Sequence, residues 1–434
     1  MRTEGVEIVG LGTANLPLLS FLPSLGVGRI SVRDCRPPSG ATAAHLSALG
    51  AEVHLGDGYL TAPLSGVIFR APGIRPDLPA LCEARRRGGI VLTEVALLLA
   101  LTPADIFAVT GSDGKTTTAM MTAAILRRAG RRVLLGGNIG IPLLSALPEM
   151  RTGDALVLEL SSFQLCDMDA PCGRVAVTSL SENHLDWHTD MGEYLAAKAR
   201  ILGSSPAVIQ ESPYAARLCR TGDILVGGAG IPSVTVRGGV AVLTEEGGSR
   251  PLLSADLPSL PGAHNLKNAM TAAALTADIA GREAIEAALL RFVPAPHRCT
   301  YLGRYRGVHC YDASIDTTPA RTLTTLASFK SPPVVILGGR NKGLSYAPLA
   351  EALPRLARAA VLMGESGDEM RGALAYAPIP CLRAATMAEA VALAFSLAEV
   401  GGSLLLSPAA ASFDLYPDYR ARGEDFAALC RMQK

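Results

Sequence analysis

Short apolar runs alternate with helix-length segments along the N-terminal part of the chain. Between the runs, residues 41–49 have the apolar spacing of a helix, and Gly50 follows them. Glycine is common just past a helix C-terminus, so a helix is predicted to end there. Such an alternation of strands and helices predicts a parallel, doubly wound sheet. The runs predicted as strands are residues 6–10, 29–33, 51–55, 66–70 and 90–92.

The same alternation returns twice further along the chain. An apolar run at 106–110 enters a glycine-rich turn, and a helix is predicted from there to Ala129, followed by strands at 133–135, 155–160 and 174–179. The Gly-, Val- and Thr-rich residues 221–250 predict a small antiparallel insertion. A helix at 264–280 leads to the proline-rich linker 294–296, and further strands are predicted at 334–337, 359–363 and 404–406.

The composition of the chain argues against some classes of function. The chain has 434 residues, which suits two to four domains, and its 40 Lys plus Arg against 39 Asp plus Glu give a net charge of +1. That balance argues against electrostatic binding to nucleic acid or membranes. No signal peptide is visible, and the nine cysteines are scattered without a CxxC pair, which favours reduced thiols. We therefore expect a cytoplasmic protein without nucleic-acid or membrane partners.

The turn after residue 110 carries the sharpest chemical signal. It reads GSDGKTT at 111–117, between a predicted strand and a predicted helix. In that context backbone N–H groups and the helix N-terminus face a polyphosphate. Lys115 would reach the β and γ phosphates, and the Thr116 hydroxyl would bind Mg²⁺. The alternative is a tight turn with an exposed lysine, but the strand before and the helix after favour a nucleotide site.

A second glycine-rich turn, GLGTAN at 10–15, follows the first predicted strand. Asp34 lies at the end of the second strand, where an acid can bind a ribose hydroxyl. The pattern fits a nicotinamide-dinucleotide site, a site for another nucleotide-bearing ligand, or a plain strand-to-helix turn. The residues alone do not decide between these three interpretations.

Polar side chains also follow two later strands. Glu159 ends an apolar strand and precedes two serines, which favours a metal ligand. The segment ENHLDWH at 182–188 combines acids, histidines and the single tryptophan. Zinc is one reading of this segment, but no HExxH pattern or cysteine partner supports it.

Two helical segments have simple local interpretations. Lys198 lies among small and apolar residues, a pattern that favours a surface lysine whose ammonium stays in water. His264 and Asn268 stand four positions apart near a helix start. The Asn268 amide would either cap that helix or hydrogen-bond an adenine, and locally the cap is favoured.

Taken together, these segments resemble the Mur ligases, in the family's order and over nearly the whole chain. The resemblance favours the branch of the family that adds D-glutamate. The segments that carry it are TGSDGKTTT (110–118), GGNIG (136–140), LELSSFQL (158–165), ENHLDWH (182–188), YLAAKARI (194–201), PGAHNLKNAM (261–270), PHR (296–298) and LSPAAASFDLYPDYRARGEDF (406–426).

The resemblance implies an α/β protein of three domains. These are a Rossmann-like UDP-substrate-binding domain (1–93), a central P-loop-type ATPase domain (94–297) and a Rossmann-like C-terminal amino-acid-binding domain (298–434). It implies a monomer that uses ATP and two Mg²⁺ ions and acts on small molecules. ATP would phosphorylate the carboxylate of UDP-N-acetylmuramoyl-L-alanine, and the D-glutamate amine would attack the acyl phosphate, in peptidoglycan precursor synthesis.

The same resemblance assigns roles to individual residues. Lys115, Lys198, His184 and Glu159 are expected to be catalytic, and Thr116, Glu159, His184 and Lys198, as a carbamate, to lie at the metal. The residues expected to bind ATP are Gly111, Ser112, Asp113, Gly114, Lys115, Thr116, Thr117, Asn268, Arg298 and Asp312. Those expected for the UDP-substrate are Thr13, Asp34, Arg36, Gly73 and Asn138, and those for D-glutamate are Thr317, Lys342, Ser412 and Tyr419.

The chain departs from the family pattern at two of these places. Asp113 stands where the family has asparagine, and Ala313 stands where a ribose-binding aspartate is expected. Asp312, one residue earlier, is expected to take over the ribose contact.

Three other functions compete with this one. A different ATP-dependent amide ligase of the same superfamily, such as a folylpolyglutamate synthase, would use another amino acid. A nicotinamide dehydrogenase built on the turn at 10–15 leaves the Lys115 loop unexplained. A non-catalytic binding module explains neither that loop nor the acid and histidine clusters.

Overall fold

The computed structural model describes residues 5–139, 142–168, 173–185, 187–257, 262–293, 296–375 and 377–433. They form two compact units, Met1–Leu260 with His264–Phe292, and Pro261–Ala263 with Val293–Lys434. The predicted linker residues Pro294 and Ala295, and Asp186 of the histidine segment, lie outside the described residues. Within the described ranges, none of the helices combines the length and the apolar character needed to cross a membrane.

The first sheet confirms the predicted doubly wound pattern. Its five strands are parallel, in the order β3-β2-β1-β4-β5, and β1 is buried along its length. The order reverses at β1, so the turns after β1 and β4 border the crevice where such sheets bind ligands. The strands are β1 (Val6–Val9), β2 (Ile30–Asp34), β3 (Glu52–Leu55), β4 (Val67–Arg70) and β5 (Ile90–Leu92). The helices are α1 (Leu18–Ser24), α2 (Gly40–Ala48), α3 (Pro79–Arg86) and α4 (Glu94–Leu101).

The second sheet has nine strands, in the order β14-β13-β12-β11-β10-β9-β6-β8-β7. Its core strands β6, β8 and β9 are apolar and nearly fully buried, as parallel strands covered on both faces are. The strands are β6 (Asp105–Thr110), β7 (Val133–Gly137), β8 (Ala155–Glu159), β9 (Arg174–Val177), β10 (Val208–Gln210), β11 (Ile224–Val226), β12 (Ser233–Arg237), β13 (Val240–Glu245) and β14 (Gly248–Ser254).

The predicted antiparallel insertion at 221–250 is wrong in one respect. Strand β11 pairs in parallel with β10 and with β12, and only β12, β13 and β14 run antiparallel. The segment therefore extends the central sheet, because the edge of β10 offers backbone groups that β11 satisfies.

The helices of this part are α5 (Lys115–Arg128), α6 (Ser162–Leu165), α7 (Met191–Ala199), α8 (Ala263–Thr276) and α9 (Arg282–Leu290), with 3-10 helices at Leu144–Glu149 and Ala215–Arg217. Helix α8 is shorter than predicted. Past Thr276 the N–H groups of Ile279 and Ala280 both bond to the Thr276 carbonyl, which closes the helix in a turn.

The third sheet has six strands, in the order β15-β16-β20-β17-β18-β19. The strands are β15 (Thr300–Tyr305), β16 (Val308–Asp312), β17 (Val334–Gly338), β18 (Ala359–Met363), β19 (Cys381–Arg383) and β20 (Ser403–Leu406). The helices are α10 (Pro319–Leu326), α11 (Ala347–Leu356), α12 (Gly367–Ala373), α13 (Met387–Leu397) and α14 (Tyr419–Met432).

The antiparallel pair β15–β16 was not among the predicted strands. Its turn has positive φ at Arg306 (46°) and Gly307 (82°), as a tight hairpin turn requires. Arginine is not one of the residues that signal such a turn, so the local sequence gave no hint of the hairpin.

Candidate active site

The loop 111–114 joins β6 to α5 and takes a shape that only glycine allows at its two ends. Gly111 has φ +144° and Gly114 has φ +83°, and a Cβ atom on either would overlap Thr178 Oγ1 or Asn268 Oδ1. The loop feeds directly into the N-terminus of the 14-residue helix α5, and the N–H groups at a helix N-terminus favour an anion. The geometry suits a phosphate group.

The side chains of the loop hold it in place. Ser112 is fully buried, and its Oγ donates to the carbonyl of Ser181 (2.9 Å) and contacts the Tyr194 hydroxyl (2.8 Å). The Asp113 carboxylate accepts from the hydroxyl of Ser181 (3.4 Å). The Lys115 Nζ donates back to the carbonyl of Ser112 (2.7 Å), so its ammonium lies at the loop.

The Glu159 carboxylate lies beside the start of α5. Glu159, at the end of β8, is 3% exposed. Its Oε2 accepts from the hydroxyl of Thr116 (2.6 Å) and its Oε1 from the side-chain amide of Asn138 (2.8 Å). Thr117 is buried one position further along α5. The structure thus brings together two residues predicted at the metal and one predicted for the UDP-substrate.

The donor set suits Mg²⁺. Carboxylate and hydroxyl oxygens are hard ligands, and Mg²⁺ usually takes only one or two protein carboxylates, completing its shell with water and phosphate oxygens. Among the described residues there is no group of three or more His, Cys, Asp or Glu side chains placed to hold a metal. Thr116 and Glu159 therefore fit a metal shared with a phosphate.

Lys198 is not the surface lysine that its local sequence favoured. Its side chain is almost completely buried, and Nζ donates to the Gly111 carbonyl (2.6 Å) and the Thr110 hydroxyl (3.3 Å). The ammonium also lies 4.7 Å from the centre of the Tyr194 ring. Burial, and then the charge of Lys115, hold the pKa of Lys198 well below its usual value. The interpretation failed because polar loop groups, rather than water, surround the ammonium.

The histidine segment packs around an aromatic ring. His184, exposed and with φ 55°, meets the Phe163 ring edge-on at 4.9 Å between ring centres. The Trp187 indole packs on the same ring (4.5 Å) and its Nε1 donates to the Gly73 carbonyl (3.0 Å). The Arg75 guanidinium lies 5.0 Å from the indole centre. These contacts connect the turn after β4 with the central sheet.

Asn268 does not cap a helix. It lies inside α8, buried, and its Oδ1 accepts from the side-chain amide of Gln210 (3.0 Å), which also donates to Thr271 (2.9 Å). The Gln210 Oε1 accepts from the backbone N–H of Ser179 (3.1 Å). Gln210 was missed in the sequence, where it is only the last residue of a short strand. An open cavity of about 580 Å³ lies beside this network, lined by Asp113, Ser179, Leu180, Ser181, Glu211, Ser212, Pro213 and Lys267.

The residues predicted to bind the UDP-substrate have different surroundings. Thr13 and Asn138 line one cavity of about 160 Å³. Asp34 instead accepts from the backbone N–H groups of Leu11 (2.7 Å) and Arg36 (2.9 Å). Although burial acts to raise it, these hydrogen bonds leave the pKa of Asp34 below its usual value. The Arg36 side chain is exposed, and the Gly73 carbonyl is engaged by the indole of the histidine segment.

In the second unit, two of the residues predicted for D-glutamate contact each other. The exposed Lys342 Nζ donates to the hydroxyl of Thr317 (3.0 Å). Ser412 is buried, and its carbonyl accepts from the N–H groups of Leu415 and Tyr416. Tyr419 is the first residue of α14.

The Asp312 carboxylate is bonded to other residues of the same chain. Its Oδ2 contacts His297 Nδ1 (2.6 Å) and its Oδ1 accepts from the N–H of Ser314 (2.8 Å). The hydrogen bond to this carboxylate raises the pKa of His297. Arg298 is half-buried, and its charge acts on the buried Asp316. The ribose contact of Asp312 stays a prediction.

Comparison with known proteins gives concordant matches. The Mur ligase middle domain model matches residues 109–221. The UDP-N-acetylmuramoylalanine–D-glutamate ligase of Ruminiclostridium cellulolyticum is 34% identical over 458 aligned positions, which cover 99% of this chain and 97% of the relative.

Two solved structures share the fold. The UDP-N-acetylmuramate–alanine ligase of Thermotoga maritima has a TM-score of 0.60 at 18% identity, covering 99% of this chain and 100% of its own. The folylpolyglutamate synthase of Mycobacterium tuberculosis has a TM-score of 0.56 at 17% identity, covering 76% of this chain and 93% of its own.

Proposed function

The chain belongs to the Mur ligase family, and we propose on that premise how its own side chains carry out the ligation. It is a UDP-N-acetylmuramoylalanine–D-glutamate ligase, an ATP-dependent enzyme of peptidoglycan precursor synthesis. We propose that the substrate carboxylate is first phosphorylated by ATP and that the amine of D-glutamate then displaces phosphate. The observation that supports this route best is the loop at 111–114, with the Lys115 ammonium bonded to it and the Thr116–Glu159 pair at the start of the helix that follows.

Phosphoryl transfer requires mainly that the reacting groups are positioned and that their negative charge is neutralised. The Lys115 ammonium lies at the loop, and we propose that it leaves the Ser112 carbonyl to bind the β and γ phosphates. Thr116, Glu159, His184 and carbamylated Lys198 would hold two Mg²⁺ ions. Bound Mg²⁺ supplies charge neutralisation and a template for the transferred group. Asn138 fixes the Glu159 carboxylate by donating to it, which orients the oxygens that face Thr116.

Lys198 is proposed to carry a carbamate. Its lowered pKa supplies the neutral amine, whose nitrogen attacks carbon dioxide, forms an N–C bond and releases one proton to water. The product is an anion beside the loop in place of the neutral amine. The carbamate nitrogen keeps one N–H, so the hydrogen bond to the Gly111 carbonyl is compatible with the modification.

The remaining assignments follow the predicted domains, 1–93, 94–297 and 298–434. Thr13, Asp34, Arg36, Gly73 and Asn138 are proposed for the UDP-substrate, with Asp34 acting by shaping the turns that contain Leu11 and Arg36. Asn268, Arg298 and Asp312 are proposed for ATP. Thr317, Lys342, Ser412 and Tyr419 are proposed for D-glutamate, whose carboxylates suit the charge of Lys342. We further propose a monomer acting in the cytoplasm, where ATP is supplied.

The test is phosphate release with ATP, Mg²⁺, UDP-N-acetylmuramoyl-L-alanine and a panel of amino acids. Release that requires both the UDP-substrate and D-glutamate is the expected result. Equal or faster release with L-glutamate, lysine or diaminopimelate would instead indicate a different amide ligase of the superfamily. The control omits the UDP-substrate, because release without it reports only ATP hydrolysis.

A further inference from the structure

A small cavity in the first unit contains a carboxylate that the assignments above do not use. The cavity, of about 160 Å³, lies between the turns after β1 and β4, helix α4 and the end of β7. Glu94, the first residue of α4, lines it together with Thr13, Val95, Leu98, Asn138 and Leu143.

Glu94 is buried without a full set of partners. The residue is 6% exposed, and its Oε1 has no hydrogen-bond partner in the part of the chain that the structure describes. A buried, unsatisfied carboxyl oxygen costs folding free energy. An acid in the first turn of a helix gains from the helix dipole, but an acid exposed to water also gains from it without the cost of burial. Helix stability therefore does not account for the burial of Glu94.

The surroundings of Glu94 carry no compensating charge. The other residues that line the cavity, from every element around it, are neutral, and the Glu159 carboxylate accepts from Asn138, one of these lining residues. Burial therefore raises the pKa of Glu94 to about 7. The hydrogen bond from the backbone N–H of Leu144 acts in the opposite direction, because it favours the ionised form. Val95, Leu98 and Leu143 make most of the wall apolar, which suits the faces of a ring or a methyl group.

We infer that Glu94 binds the nucleotide-sugar substrate, its free Oε1 accepting a hydrogen bond from a neutral donor in the middle of that molecule, a hydroxyl or an amide N–H. The inference rests on the proposed function, which places Thr13 and Asn138 along the same substrate. A phosphate group does not fit beside Glu94, because the two anions repel each other. A hydroxyl or amide N–H satisfies Oε1 and leaves the carbon skeleton against the apolar wall.

The inference predicts how binding depends on pH. Above pH 7 the carboxylate is a strong acceptor for the substrate donor. As the pH falls through 7 the protonated carboxyl becomes a weaker acceptor, so the KM for the UDP-substrate rises towards pH 6. Glu94→Gln keeps the shape but has no ionisable group, and its KM is expected to lack this dependence.

Three variants test the inference. Glu94→Leu removes the acceptor, Glu94→Gln keeps the shape, and Glu283→Gln is the control, an exposed acid in the first turn of α9. The measurements are the KM for UDP-N-acetylmuramoyl-L-alanine and for ATP, and the thermal midpoint. For Glu94→Leu we expect about a tenfold higher KM for the UDP-substrate, a KM for ATP within about twofold, and a higher midpoint, because an unsatisfied carboxylate is gone.

An unchanged KM for the UDP-substrate in Glu94→Leu, or equal rises for both substrates, would overturn the inference. If Glu94→Leu does not fold, the pH profile of Glu94→Gln decides, because a profile that still rises towards pH 6 excludes Glu94 as its source. Failure of the proposed function looks different: the wild-type enzyme would then release no phosphate with the UDP-substrate and D-glutamate.

Discussion

The Nζ atom of Lys198 donates a hydrogen bond to the carbonyl oxygen of Gly111, 2.6 Å away, so a buried lysine on α7 is bound directly to the phosphate loop. The two residues are 87 positions apart in the chain. The contact gives the loop a partner that titrates, because burial lowers the pKa of the lysine. The chemical state of Lys198 therefore bears on the site where phosphate is expected.

Lys198→Ala is expected to lower the ligation rate by several orders of magnitude, since the carbamate charge is lost beside the loop. An ordinary surface lysine would instead change stability by only about 0.5 kcal/mol or less. Steady-state rates with and without added acetate or formate measure this, and partial rescue by the added carboxylate is the expected result. Lys198→Arg, which cannot form the carbamate, should be as slow as the alanine variant. Full activity in Lys198→Ala would refute the proposal.

Lys115→Ala is expected to abolish phosphate release while the fold is retained. The glycines and Ser112 hold the shape of the loop, and the Lys115 ammonium donates to the Ser112 carbonyl. Phosphate release at saturating ATP, with circular dichroism as the check on folding, is the measurement. Arg128→Ala, at the exposed far end of α5, is the matched control. Near wild-type turnover in a folded Lys115→Ala protein would mean that the loop assignment is wrong.

Glu159→Gln is expected to slow phosphate release and to raise the Mg²⁺ concentration needed for half-maximal rate by about tenfold or more. The amide keeps the size of the side chain but removes a charged ligand, and metal affinity depends on ligand charge. A Mg²⁺ titration of the rate measures the effect, with the exposed Glu149→Gln as control. If the two variants show the same Mg²⁺ dependence, Glu159 is not at the metal.

Lys342→Ala and Ser412→Ala are expected to raise the KM for D-glutamate more than the KM for ATP. Lys342 donates to Thr317 within the second unit, and both are proposed to meet the amino acid. Initial rates with one substrate varied at a time separate the two constants, and the exposed Lys330→Ala serves as the control. Parallel increases for both substrates would argue against an amino-acid pocket in this unit.

Local patterns of residues were enough to predict several parts of this protein. Alternating strands and helices predicted the parallel sheets, because the periodicity of a strand or a helix is a pattern among residues that are close together in the sequence. The phosphate loop was readable for the same reason: its glycines meet a backbone requirement, positive φ at Gly111 and Gly114, that is set within the loop itself. The order of the motifs along the chain then pointed to the family.

The contacts between polar groups from distant parts of the chain could not be predicted from local patterns. The local sequence favoured a surface position for Lys198, but in the structure its Nζ donates to a carbonyl of the loop. The local sequence also did not indicate that the side-chain amide of Gln210 donates to Asn268. The strand β11 joined the central sheet, against the local pattern, because an edge with free hydrogen-bonding groups was available. The cavity that Glu94 lines likewise includes residues of the turns after β1 and β4, which are distant in the chain. In each case the free energy of a polar group is set by distant neighbours and by the exclusion of water, neither of which a local pattern records.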